Sequence, residues 1–109
     1  MRRIQFCNAG CIHDIPIGKG RRLSVGDRRF AVFRETFGHF YIFADEMLGA
    51  DPVSSGVIEG DKIKLKDGHT VDLHTGRYDN SKLFVRSFNP WVENGFILFT
   101  IGKFVSAMA

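Results

Sequence analysis

Apolar runs of about five to eight residues, rich in Phe, Val and Ile, alternate along this chain with short clusters of Gly, Asp and Asn, the spacing of an all-β sandwich or barrel. RRLSV and RRFAVFR flank Gly26–Asp27, HFYIFA follows Phe37–Gly38, KIKLK and TVDL flank Asp67–Gly68, and FNPWVE and FILFTIG flank Asn94–Gly95. Gly18–Gly20, Gly60–Asp61 and Thr75–Gly76 supply further turns. Asn-Gly between apolar runs is the strongest short hairpin signal. The pattern predicts a β-meander with little room for helix. Two stretches break it: DEMLGADPVSSG over 45–56 is a long loop, and RYDNSK over 77–82 a shorter polar one. Loops that outgrow their neighbours are where function concentrates.

Composition narrows the possibilities. A chain of 109 residues with eleven Phe, one Trp and two Tyr can bury one aromatic-rich core, which predicts a single domain over 1–109. The final GFILFTIGKFVSAMA is apolar but carries Lys103, and it falls short of the roughly twenty residues a membrane span requires. It reads as a last core strand followed by a tail, FVSAMA, free to dock on a partner. MRRIQF turns polar too soon for a secretory leader, so a cytoplasmic location is expected. The only cysteines, Cys7 and Cys11, with His13 as their one near companion, do not make a zinc site. Cys7 is expected to be buried as a small hydrophobe. The net charge is +3 and the basic pairs are Arg2/Arg3, Arg21/Arg22 and Arg28/Arg29. Neighbours in a strand point to opposite faces, so these pairs build no stripe of the kind that nucleic acid binding requires.

KDGHTVDLHTG, residues 66–76, has the residue types of a metal or acid–base site. Strand parity argues otherwise. His69 shares a face with Val71 and Leu73, while His74 shares one with Thr70 and Asp72, so the two imidazoles cannot converge on one ion. Asp67–Gly68 and Thr75–Gly76 read as turns.

The wider run DPVSSGVIEGDKIKLKDGHTVDLHTGR resembles the heart of a Rieske-type ferredoxin domain, where C-P-H-x-G-G-P-L-S-x-G leads into C-P-x-H-G-x-x-F-D-x-x-T-G. Pro52-Val53-Ser54-Ser55-Gly56 matches P-L-S-x-G, Gly68 matches the second loop's glycine, and Val71-Asp72-Leu73 with Thr75-Gly76 matches F-D-x-x-T-G. DIPIGKGRRLSVGDRRFAVFRETFGHFYIFAD resembles the opening meander of Rieske ferredoxins and of the small subunit of NAD(P)H nitrite reductase, and FNPWVENGFILF their closing hairpin. The resemblance implies a Rieske (ISP-like) fold: an antiparallel sandwich or partly open barrel with a small inserted subdomain, about 45–76, that carries vestigial cluster-binding loops.

The same alignment places the family's cluster ligands on Glu46, Leu48, Lys64 and Asp67, and no cysteine follows Cys11. A Rieske cluster takes two thiolates and two imidazoles, so no 2Fe–2S cofactor is expected, and no catalytic residues are assigned. Lys64 is expected between Glu46 and Asp67, filling the former site with a charge trio under Leu48. Met47, Leu48, Leu65 and His69 are expected at the loop tips, which in this family dock on oxygenase or reductase partners. The expected role is therefore a non-redox interaction module, an accessory or regulatory subunit of such a system. Two alternatives are a divalent ion or small ligand held by Glu46, Asp51, Asp67 and His69, and electron transfer by a cluster that recruits Cys7 or Cys11.

Overall fold

Glycines in the left-handed region punctuate the chain where the sequence places turns. Gly26 (φ 62°) and Gly60 (φ 63°) each open a two-residue hairpin, and Asn94 (φ 52°) with Gly95 (φ 80°) makes another in which both turn residues have positive φ, as a type I′ turn requires. The computed structural model describes residues 2–104, with more than half of them in β-strands and very few in helical turns. The strands are β1 (Arg2–Cys11), β2 (Arg21–Val25), β3 (Arg28–Arg34), β4 (Phe40–Ala44), β5 (Met47–Leu48), β6 (Asp51–Pro52), β7 (Val57–Glu59), β8 (Lys62–Lys64), β9 (Thr70–Asp72), β10 (Ser87–Phe88), β11 (Trp91–Glu93) and β12 (Phe96–Phe104). Single 3-10 turns at Ile12–Asp14 and Val53–Ser55 are the only helical elements among the described residues.

The sheets are antiparallel and do not close into a barrel. A central sheet has the order β10-β4-β3-β2, a terminal sheet β1-β12-β11 and a small sheet β7-β8-β9, while β5 and β6 form a minimal hairpin. The expected meander holds over β2-β3-β4 of the central sheet, to which β10 is added from farther along the chain, and over the small sheet. It fails at the ends of the chain, where β1 pairs with β12 rather than with β2. The expected core strand at the C-terminus is β12, and the tail Val105–Ala109 lies outside the described residues.

Strand β3 explains the layering. Its residues 30–33 are all buried, the mark of a strand covered on both faces. Phe30 and Val32 face one way and meet Cys7, Ala9, Ile97, Phe99 and Ile101 of the terminal sheet. Ala31 and Phe33 face the other way and meet Val53, Ile63, Leu65, Val71 and Leu73 of the inserted subdomain. Strand β4 divides likewise, Ile42 to the first core and Phe43 to the second. The chain is thus three layers around two cores, with the candidate loops mounted on the second.

Candidate functional site

Three loops meet at the far side of the second core: 45–56, 64–69 and 77–84. The first is anchored by Asp45, whose side chain has no exposed surface. Its carboxylate accepts hydrogen bonds from Ser54 N (2.8 Å), Ser54 Oγ (2.7 Å) and Arg22 Nε (2.7 Å). These bonds tie both ends of the loop to each other and to β2. The Pro52–Gly56 match to the family follows from packing here, because a side chain at Gly56 would collide with Ile63.

The turn after β9 is closed by Asp72, which accepts from Lys62 Nζ, His74 N and Thr75 N, each at 2.9 Å. The Lys62 ammonium, followed by the backbone N–H of Thr75, holds this carboxyl far below the usual carboxylate range. The D-x-x-T-G match is therefore a turn motif, with Gly76 (φ 78°) pressed against the carbonyl of Val85. The tips of the first two loops touch: Gly49, at φ +66°, leaves only 3.1 Å between Asp67 Oδ2 and the place a Cβ would occupy.

The third loop contributes a clamp that the sequence reading missed. Asp79 is one of two non-glycine residues among those described with positive φ (51°). Its N–H donates to Thr70 O (2.8 Å), its Oδ1 accepts from Thr70 N (2.8 Å) and its Oδ2 from His69 Nδ1 (2.7 Å). The imidazole also lies 5.1 Å from the ring of Tyr78 and 3.8 Å from Asp67. The bond to Asp79 raises the His69 pKa, with the charges of Asp67 and Asp79 adding to it. The backbone donor Thr70, and then His69, lower that of Asp79. Only an Asp-Asn pair inside a polar loop hinted at such a turn.

The predicted site residues separate. Met47 is exposed (61%), Leu48 packs against the edge of the second core, and His69 is half-exposed in the Asp79 clamp. Leu65 is buried at 2% exposure. It is a core residue and not part of a partner surface, because it shares the inward face of its strand with Ile63. Lys64 has the opposite parity, points to solvent and pairs with Glu59 at 3.5 Å. The charge trio with Glu46 and Asp67 is therefore not formed. His69 and His74 stand apart, but β9 ends at Asp72 and His74 sits in the turn after it, 5.8 Å from the ring of Tyr41, so strand alternation does not reach it as expected.

At the family's ligand positions this chain offers two carboxylates, an amine and a hydrocarbon. The two thiolates and two imidazoles of a Rieske cluster have no counterpart in that set, so the residues present do not fit the group. Cys7 cannot substitute: it is packed in the first core, across the central sheet from the loops, and burial raises its thiol pKa. Among the described residues no three His, Cys, Asp or Glu side chains are grouped to hold a metal ion, so Glu46, Asp51, Asp67 and His69 do not converge as the ligand set considered from the sequence. What the loops do form is a groove of about 310 Å³ between the first and third, lined by Glu46, Met47, Leu48, Tyr78, Leu83 and Phe84 among others. Its rim is apolar and open, with Leu83 66% and Phe84 59% exposed beside Met47. Leu83 and Phe84 follow the polar loop directly, and only that position could have drawn attention to them.

No family model and no curated protein matches the chain. Among the described residues no helix is long and apolar enough to cross a membrane. Solved structures match it over most of its length. A protein described as an NADH-dependent nitrite reductase small subunit from Mycobacterium tuberculosis superposes with TM-score 0.79 at 16% identity, covering 91% of this chain and 96% of its own. NirD of E. coli gives 0.76 at 17% identity, with 90% and 97% covered. A chain from the complex of reduced oxygenase and oxidized ferredoxin in carbazole 1,9a-dioxygenase gives 0.71 at 23% identity, with 86% and 91% covered. The fold of this chain is that of the Rieske-type ferredoxins and nitrite reductase small subunits.

Proposed function

We propose that this protein is a non-redox interaction module that keeps the Rieske scaffold without its cluster and serves as an accessory or regulatory subunit of an oxygenase or reductase system. The observation that carries this reading is the loop-tip groove with its exposed Met47, Leu83 and Phe84. Three large apolar side chains in one open cleft are what a buried protein contact uses as its centre. The donor set at Glu46, Leu48, Lys64 and Asp67 supports the absence of the cluster. The clamps at Asp45 and Asp79 support a preformed surface, since both hold loop backbone with side-chain oxygens. Proteins of this fold described as nitrite reductase small subunits, and one within an oxygenase–ferredoxin complex, support the class of partner.

Iron, acid-labile sulfide and the visible spectrum, measured on protein purified without oxygen, test the first half. Folded protein lacking iron and sulfide is expected; stoichiometric amounts of both overturn the reading. Affinity purification from the source cells tests the second half. An oxygenase or reductase subunit, identified by mass spectrometry, is expected with the parent and lost with Phe84→Asp. Surface changes of this kind alter stability by about 0.5 kcal/mol or less, so unchanged thermal unfolding separates lost docking from lost fold.

A further inference from the structure

We infer that the edge of the terminal sheet, strand β1, binds a second copy of this chain, joining two three-stranded sheets into one of six strands. β1 is a ten-residue strand that pairs with β12 on one side alone among the described residues. Its other side presents unpaired backbone donors and acceptors, which recognise another strand edge. Natural edges are usually blunted by Pro, charge or short length. This one carries such protection at its ends alone, Arg2 and Arg3 at one and the register shift between Asn8 and Gly10 at the other, and the stretch from Ile4 to Asn8 between them has no Pro, Asp, Glu, Lys or Arg.

The register is set by the strand itself. The regular run is Arg2–Asn8, because the pairing shifts between Asn8 and Gly10, where the Gly10 N–H turns to Asn8 Oδ1 at 2.8 Å. An antiparallel two-fold that uses the whole run is centred on Gln5. Ile4 then lies opposite Phe6 of the second copy, and Phe6 opposite Ile4, on one face. Both are largely exposed in the single chain, at 65% and 74%. Aromatic–aliphatic cross-strand pairs of this kind stabilise sheets. The same face carries Trp91, whose ring meets that of Phe6 edge-on at 6.3 Å. Arg3 falls opposite Cys7 and Arg2 opposite Asn8, so the basic ends of the two strands are held apart. An isologous two-fold contact of this sort closes after two copies. It covers about seven residues a side, far fewer than the roughly 20–30 of a standard interface, so a weak, concentration-dependent dimer is the expected product.

This inference is independent of the loop-tip reading, because β1 and the loops lie on opposite sides of the central sheet. Sedimentation equilibrium of the full chain over a wide concentration range should show mass rising toward twice the monomer. Phe6→Lys or Ile4→Lys should hold it monomeric with unchanged circular dichroism, and Phe84→Asp should dimerise like the parent. In a Cys11→Ser background, Gln5→Cys should form an intermolecular disulfide on mild oxidation, since directly opposed residues bring their Cβ atoms about 4.5–5.5 Å apart. A parent that stays monomeric at every concentration overturns the inference. So does a dimer indifferent to both lysine variants, or one in which Gln5→Cys fails to cross-link.

Discussion

The two cores on either side of β3 are built by different means. The first is made by long strands and aromatic packing: Phe99 lies 5.0 Å from Phe30 and 6.0 Å from Phe88, centroid to centroid. The second rests under strands of two or three residues, too short to fix their own geometry, and three aspartates do that work instead. Through side-chain oxygens Asp45 binds a backbone N–H of the first loop, Asp72 two of the turn after β9, and Asp79 that of Thr70 at the start of β9. A surface carried on long strands depends mainly on apolar burial, whereas one carried on aspartate-tied loops depends on charge and therefore on pH.

The largest effect should come from breaking the first core. Phe99→Ala is expected to cost about 3–5 kcal/mol, read as a lowered urea midpoint of the whole domain. Asp45→Ala, on the other side, should cost about 1–3 kcal/mol, because the Ser54 N–H loses its acceptor. Its signature is faster hydrogen exchange in 45–56 with the terminal sheet unchanged. Equal loosening of both regions would erase the distinction between the cores.

Asp72→Asn should flatten the acid limb of the stability curve. A carboxyl lowered on folding stabilises above its unfolded value of about 3.9, and that contribution is lost as pH falls through the folded value. Parent and variant should therefore diverge above pH 4 and converge in strong acid, by denaturant titrations at several pH values. The smallest effect concerns the His69–Asp79 clamp. His69, raised on folding, stabilises fully below about 6.5 and loses its contribution as pH climbs through the raised value, while Asp79 contributes above about 3.9. The clamp is tightest between those limits. An NMR titration of the His69 imidazole should give a midpoint above 6.5, and Asp79→Asn should bring it down.

Much of the fold was legible because its turns are chemically marked. RRLSV and RRFAVFR coincide with β2 and β3, since Gly26 permits one tight turn and the alternation on either side permits one register. The pairing of β1 with β12 was not legible: it joins residues some ninety positions apart, and no local pattern reports on contacts at that range. At the site, the family match placed Lys64 and Leu65 in the loops, while the alternation of β8 turns Leu65 inward with Ile63 and Lys64 outward. The physical period outweighed the alignment there. Asp79 escaped because its role depends on a left-handed backbone and on two residues from another loop.

The aromatic residues that divide between the two cores also divide the molecule spectroscopically. The single tryptophan, Trp91, stands on the terminal sheet beside Phe6, while both tyrosines, Tyr41 and Tyr78, border the second core. Indole emission therefore follows the terminal sheet, whereas the tyrosine rings report on the second core, Tyr41 from β4 and Tyr78 from the third loop. A denaturation followed by indole emission and by the tyrosine ring proton resonances watches two halves of one small protein with no label added.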